Sequence, residues 1–148
     1  HRNDTIFPDS LKFKTKNGRN VFGGGGISPD IKISRDTNLN FRTINKIIIN
    51  GWVRDFAMQY SDNNRNSIFK INDSKEYLIR IEEIIYNQFL NFVQKNDKNI
   101  KNEISDFDKK YLKRQVIANI ARNIWNNEDY YKIILDKDEY VISALKLD

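Results

Sequence analysis

Four consecutive glycines, Gly23, Gly24, Gly25 and Gly26, are the first residues in the chain whose type and spacing suggest chemistry. Glycine-rich loops can cradle phosphate with backbone amides, but the nucleotide-binding patterns need G-x-x-x-x-G-K-[ST], or G-x-G-x-x-G opening a helix. Here Ile27, Ser28 and Pro29 follow the glycines, and no Lys-Ser or Lys-Thr does. Pro29 also biases Ser28 away from helix, so no helix N-terminus opens there to hold an anion. The glycines therefore read as an irregular crossing where backbone passes close to backbone.

Nucleophiles and bases are no better arranged. Ser10, Ser28, Ser34, Ser61, Ser67, Ser74, Ser105 and Ser143 lie outside G-x-S-x-G. Ser67 and Ser143 each stand three residues before a lysine, Lys70 and Lys146, but each of the serines reads as a turn, cap or surface residue. The pairs Glu82-Glu83 and Glu128-Asp129 are neighbours pointing different ways on a helix, so they read as solvated or helix-start acids rather than a carboxylate dyad. Cysteine is absent and the one histidine is His1. Thiolate nucleophiles, a zinc site and a histidine base are thus excluded, and no metal or cofactor is expected. Trp52, Phe56, Tyr60, Phe89, Phe92, Tyr111, Trp125, Tyr130 and Tyr131 fall at helical spacing and read as core. The net charge of +5 comes from 25 basic and 20 acidic side chains. They are interspersed, with no run of five or six like charges, so no nucleic-acid partner is expected.

The elements that would carry these residues divide the chain in two. All six glycines and both prolines lie within residues 1–51. In "LKFKTKNGRNVF", Leu11, Phe13 and Thr15 alternate with Lys12, Lys14 and Lys16, which reads as a strand with a solvated lysine face. Asn17-Gly18 then predicts a hairpin turn and Arg19–Phe22 the return strand. Ile31 and Ile33 suit a third short strand.

From residue 36 onward the period becomes helical. Phe41, Ile44, Ile47 and Ile48 form one stripe, closed by Gly51 as a helix C-terminal glycine. Trp52, Val53, Phe56, Ala57 and Tyr60 form the next. A third helix begins with Asp73 or Ser74 as N-cap and carries Tyr77, Leu78, Ile81, Ile84 or Ile85, Phe89, Leu90 and Val93, with room for one internal break. Another runs through Phe107, Tyr111, Leu112, Val116 or Ile117, Ile120, Ala121, Ile124 and Trp125. Two short helices, "EDYYKIIL" and "KDEYVISALKL", close the chain. Core positions are predicted at Trp52, Phe56, Leu90, Ile120 and Trp125. The longest apolar run, "INKIIING", is too short and too interrupted for a membrane span.

The stretch "LKFKTKNGRNVFGGGGISPDIKI" resembles a signature of the carboxy-terminal processing (tail-specific) serine proteases. In that family a strand of the form Y/F-x-T-x-x-G-R-x-V/I precedes a G-I-x-P-D-I/V turn. Thr15, Gly18, Arg19, Val21, Gly26, Ile27, Pro29, Asp30 and Ile31 match it. A bacterial subset has the extended glycine run, here Gly23, Gly24, Gly25 and Gly26, before a long helical tail. The tail is similar to theirs in "RDFAMQYSDNNR", "YLKRQVIANIARNIW" and "DEYVISAL".

The resemblance implies a mainly α (α+β) fold. Residues 1–35 would be the end of a catalytic sheet, with a hairpin at 11–22 and a glycine turn at 23–30, and residues 36–148 an all-helical domain. The family's serine nucleophile and lysine base have no counterpart motif here, and its PDZ domain lies earlier in the family's chain. The implied function is therefore a non-catalytic C-terminal portion of a peptidase that trims protein C-termini. Its partners would be the remaining catalytic core and PDZ domain, the parent's protein or peptide substrates, or a second copy paired through an exposed strand edge. The resemblance implies the periplasm or cell envelope. The alternative is a free-standing helical interaction module.

Overall fold

The computed structural model describes residues 11–16, 18, 20–23, 39–71, 74–136 and 138–146. The chain divides into two compact units, His1–Ser34 and Arg35–Asp148.

In the first unit, β1 (Lys12–Lys14) pairs antiparallel with β2 (Asn20–Phe22), with Lys12 opposite Phe22, Phe13 opposite Val21 and Lys14 opposite Asn20. The turn corrects one expectation. Asn17-Gly18 as a two-residue turn would set the strands one position out of this register. Instead the ladder leaves 15–19 outside it. The Gly18 amide donates to the Thr15 carbonyl at 2.9 Å, and Gly18 sits at φ 77°. A β-turn closed by a left-handed residue is the three-residue hairpin solution, and glycine enters that region without steric cost. Phe13 and Val21 remain exposed, at 56% and 41%. Cross-strand apolar pairs are the unit of sheet stabilisation, but two strands with one solvated face are marginal. The anticipated strand around Ile31 and Ile33 lies outside the described residues.

The second unit is helical, and the chain as a whole is mainly α. Eight helices are present among the described residues: α1 (Phe41–Ile49), α2 (Trp52–Ile68), α3 (Ser74–Arg80), α4 (Glu82–Gln94), α5 (Ile100–Glu103), α6 (Asp106–Ile124), α7 (Asn127–Leu135) and α8 (Glu139–Leu145). Gly51 takes φ 71° and donates to the Ile48 carbonyl, ending α1 as its position predicts, and its own carbonyl accepts from Asp55 to begin α2. The internal break after Ser74 falls at Ile81, whose φ of −97° and ψ of 14° separate α3 from α4.

The long helix α6 packs against α2, α3, α4 and α7. Its buried side chains run through Leu112, Val116, Ile117, Ile120 and Ile124, with the small residues Ala118 and Ala121 also fully buried. Phe56 of α2 gathers Tyr60, Phe89 and Phe92 around it, with ring centroids 5.5 to 5.9 Å apart. Such tilted and edge-on contacts add to the burial of apolar area that holds the bundle together.

Several predicted core positions move. Phe41 and Ile48 are exposed, at 53% and 48%. The face of α1 that turns inward is centred on Thr43, Ile44 and Ile47, and at 3.6 residues per turn the other two lie roughly a quarter turn away from it. Of Ile84 and Ile85 the second is buried, and Phe107 is exposed in the first turn of α6. Trp52 and Trp125 pack against the core but are only partly buried, because each stands at a helix end on its margin. Phe56, Leu90 and Ile120 are buried as expected.

Candidate functional site

The motif residues have structural duties wherever they are described. Thr15 and Gly18 close the hairpin turn, and Val21 faces Phe13 across the strands. The Gly23 amide donates to the Leu11 carbonyl at 2.8 Å, extending the ladder past β2. A Cβ at Gly23 would stand 3.0 Å from the edge of the Phe13 ring, so the ring lies over a bare backbone that a larger residue would deny it. This is the close approach that a glycine at the end of a strand permits. Arg19, Gly24, Gly25, Gly26, Ile27, Pro29, Asp30 and Ile31 lie outside the described residues, as does His1.

Of the residues weighed as nucleophiles, Ser10, Ser28 and Ser34 lie outside the described residues, and Ser105 and Ser61 stand in structural positions. Ser105 caps α6, accepting from the Asp108 amide at 3.2 Å and donating its hydroxyl to the Asp108 carboxylate at 2.8 Å. Ser61 is wholly buried in α2, and its hydroxyl makes no hydrogen bond. Glu82 and Glu83 stand in the first turn of α4, where acids suit the helix dipole. Among the described residues no group of three or more His, Cys, Asp or Glu side chains is placed to hold a metal ion. No helix among them is long and apolar enough to cross a membrane.

One concave surface does gather convergent side chains. A groove of about 680 Å³ runs between α6 and α7 and reaches the α3–α4 junction. Lys110, Lys113 and Arg114 line it from α6, at the spacing that puts residues on one helical stripe. Asp129, Lys132 and Asp136 line the α7 side, and Ile79, Ile117 and Ile133 supply the apolar surface between them. Part of this charge is already satisfied. Lys113 pairs with Glu83 and, at 3.6 Å, with Glu82, while Lys109 reaches Glu83 at 2.7 Å. These amines hold the Glu83 carboxyl below the usual carboxylate range, Lys109 contributing most. Burial pulls the Lys113 amine down, but Glu83 and Glu82 more than offset it and leave it raised. Lys132 pairs with Glu128 one turn back at 2.6 Å. Neither Lys110 nor Arg114 has an ion-pair partner among the described residues.

A buried, hydrogen-bonded carboxylate has no place among the expected site residues. Asp108 is fully buried. Its carboxylate accepts from the backbone amides of Asn40 and Ser105, each at 2.8 Å, and from the Ser105 hydroxyl. Asn40 in turn caps α1 by accepting from the Thr43 amide, and donates its side-chain amide to the Glu103 carbonyl at 3.3 Å. One carboxylate thus joins the start of α1 to the start of α6. The capping signal S-x-x-D at Ser105–Asp108 is visible in the sequence, but the bond to Asn40 spans 68 positions and has no local signature. Beside this node burial, with the charges of Glu83 and Asp108, pushes the Tyr86 phenol up to about 12. At the other end of the bundle Arg65 of α2 donates to the carbonyls of Asn123 and Ile124 at 2.6 and 3.3 Å, satisfying the last turn of α6.

Residues 43–126 match the model of a family of unknown function (DUF8443), a span of more than half the chain. No curated protein matches. No solved structure matches.

Proposed function

The chain belongs to the DUF8443 family, a family of unknown function; we propose that it is the C-terminal portion of a carboxy-terminal processing serine protease, non-catalytic in itself. Residues 1–35 supply terminal strands to the parent's catalytic sheet, and the helical unit is an accessory domain. The observation that carries this reading is the hairpin. Thr15, Gly18, Val21 and Gly23 of the motif serve a register, a left-handed turn and a ring-over-glycine contact, while Phe13 and Val21 are left exposed. A two-stranded ribbon with an apolar face in water is what remains of a larger sheet when its neighbours are missing. The catalytic core and PDZ domain of the parent would be its partners, and the periplasm or cell envelope its place.

The test is a peptidase assay on the chain alone, with peptides ending in apolar residues. The expected turnover is the blank rate. Turnover above blank that disappears when a single serine of this chain is changed would overturn the non-catalytic role.

A second reading has its own support. The family match lies entirely within the helical unit, and among the described residues every buried apolar side chain belongs to that unit. A free-standing helical interaction module would show both features.

A further inference from the structure

We propose that the groove between α6 and α7 is a docking site for a short acidic, aliphatic segment of a partner protein. The inference goes beyond the protease reading and does not depend on it. Its first ground is the division of charge. After the internal pairs are set aside, the α6 wall keeps the cations of Lys110 and Arg114, for which no carboxylate of the described residues is a partner. Lys110 rests over the Phe107 ring at 5.8 Å, an exposed contact worth little. Arg114 is half-buried beside Ile117, where a guanidinium offers a planar donor fork to a carboxylate.

The second ground is the floor. Ile79 is 51% exposed, and with the partly buried Ile133 it presents an aliphatic surface, over the buried Ile117, that no side chain of the bundle covers fully. A ligand with a leucine-like side chain flanked by a carboxylate meets both features at once. The volume of about 680 Å³ suits a few residues of peptide, within the range of ordinary ligand clefts.

The third ground decides against a phosphate polymer. Asp136 and Glu82, the latter held by Lys113 only at 3.6 Å, line the same groove, and a chain carrying one charge per nucleotide would meet them whatever its register. A peptide with spaced carboxylates avoids them, and a basic residue beside the carboxylate would meet Asp136. Charge placement here sets partner choice more than raw affinity.

The experiment uses the full chain, isotope-labelled, titrated with a short peptide of leucine and glutamate blocked at both ends. Amide shifts are expected along 110–117 and 129–136. Replacing the peptide's glutamates by glutamine, or Lys110 and Arg114 by glutamine together, should weaken binding about fivefold or more. Lys98→Gln, an exposed change away from the groove, should leave it unchanged. Because the glutamine peptide is applied to the unaltered protein, the test stands even if the double variant folds poorly. Shifts absent from the groove, or equal binding of the glutamate and glutamine peptides, would overturn the proposal. Tighter binding of an oligothymidylate to the same residues would also overturn it, assigning the groove to a polyanion.

Discussion

Replacing Asp108 by alanine should be among the most damaging single changes in the helical unit. The carboxylate is fully buried and accepts three hydrogen bonds, two from the backbone amides of Asn40 and Ser105 and one from the Ser105 hydroxyl. Hydrogen bonds to a charged group contribute about 1.5–3 kcal/mol each. Asn40 and Ser105 are exposed residues, so water can reach the donors left behind, which removes much of that sum. The capping-box contribution alone is typically ~1 kcal/mol. A net loss of about 3 kcal/mol follows, a large share of the 5–15 kcal/mol that ordinarily holds a domain together. Asp108→Asn keeps the volume but turns an NH₂ toward a backbone donor, and should lose about 2 kcal/mol. Urea unfolding followed by the helical circular dichroism signal reads these values. The Ser105→Ala, Asp108→Ala pair should lose less than the sum of the single changes, since they share bonds. A loss below about 1 kcal/mol for Asp108→Ala, or strict additivity in the pair, would refute the node.

Three further outcomes follow from particular contacts. Ser61→Ala removes a buried hydroxyl with no hydrogen bond, so unfolding should require about 1 kcal/mol more, and a loss would reveal a partner for it. Arg65→Met takes two donors from the last turn of α6 and should cost about 1–2 kcal/mol, with faster amide exchange confined to residues near 120–125; unchanged exchange there would contradict the contact. Lys109 and Lys113 hold the Glu83 carboxyl below its ordinary range, as Lys46 and the Asn99 amide hold Asp97. A depressed carboxyl stabilises the fold above its unfolded pKa, so thermal stability should fall as pH drops below about 4, and a flat profile down to pH 2 would remove these pairs from the account.

What could be read in the sequence is what local physics determines. Gly51 ends a helix because a left-handed position favours glycine, and the absence of glycine and proline beyond it leaves the helices to run. The stripe of α6 was legible because a long helix with two buried flanks repeats its period many times. α1 was not, because nine residues put three isoleucines and a phenylalanine in a stripe wide enough to fit more than one rotation. Ile100, wholly buried in the one-turn helix α5, escaped for the same reason: four residues carry no period. The hairpin register slipped by one because Asn17-Gly18 favours a two-residue turn in isolation, whereas Gly18 serves as the closing left-handed residue of a longer one. The groove was invisible in the sequence because its walls come from separate helices, and no local pattern joins Lys110 and Arg114 to Asp136. The node at Asp108 was half visible, as a cap and not as a tether.

The claim that most needs testing is that this chain continues a serine–lysine peptidase. The direct measurement is the intact mass and peptide map of the native polypeptide that carries residues 35–148. The expected result is a polypeptide longer than this chain, with peptides upstream of His1 that include a serine acylated by an active-site probe and a lysine that accepts the serine's proton. A native polypeptide with no sequence upstream of His1, and no labelling by that probe, would contradict it and leave the helical interaction module as the function.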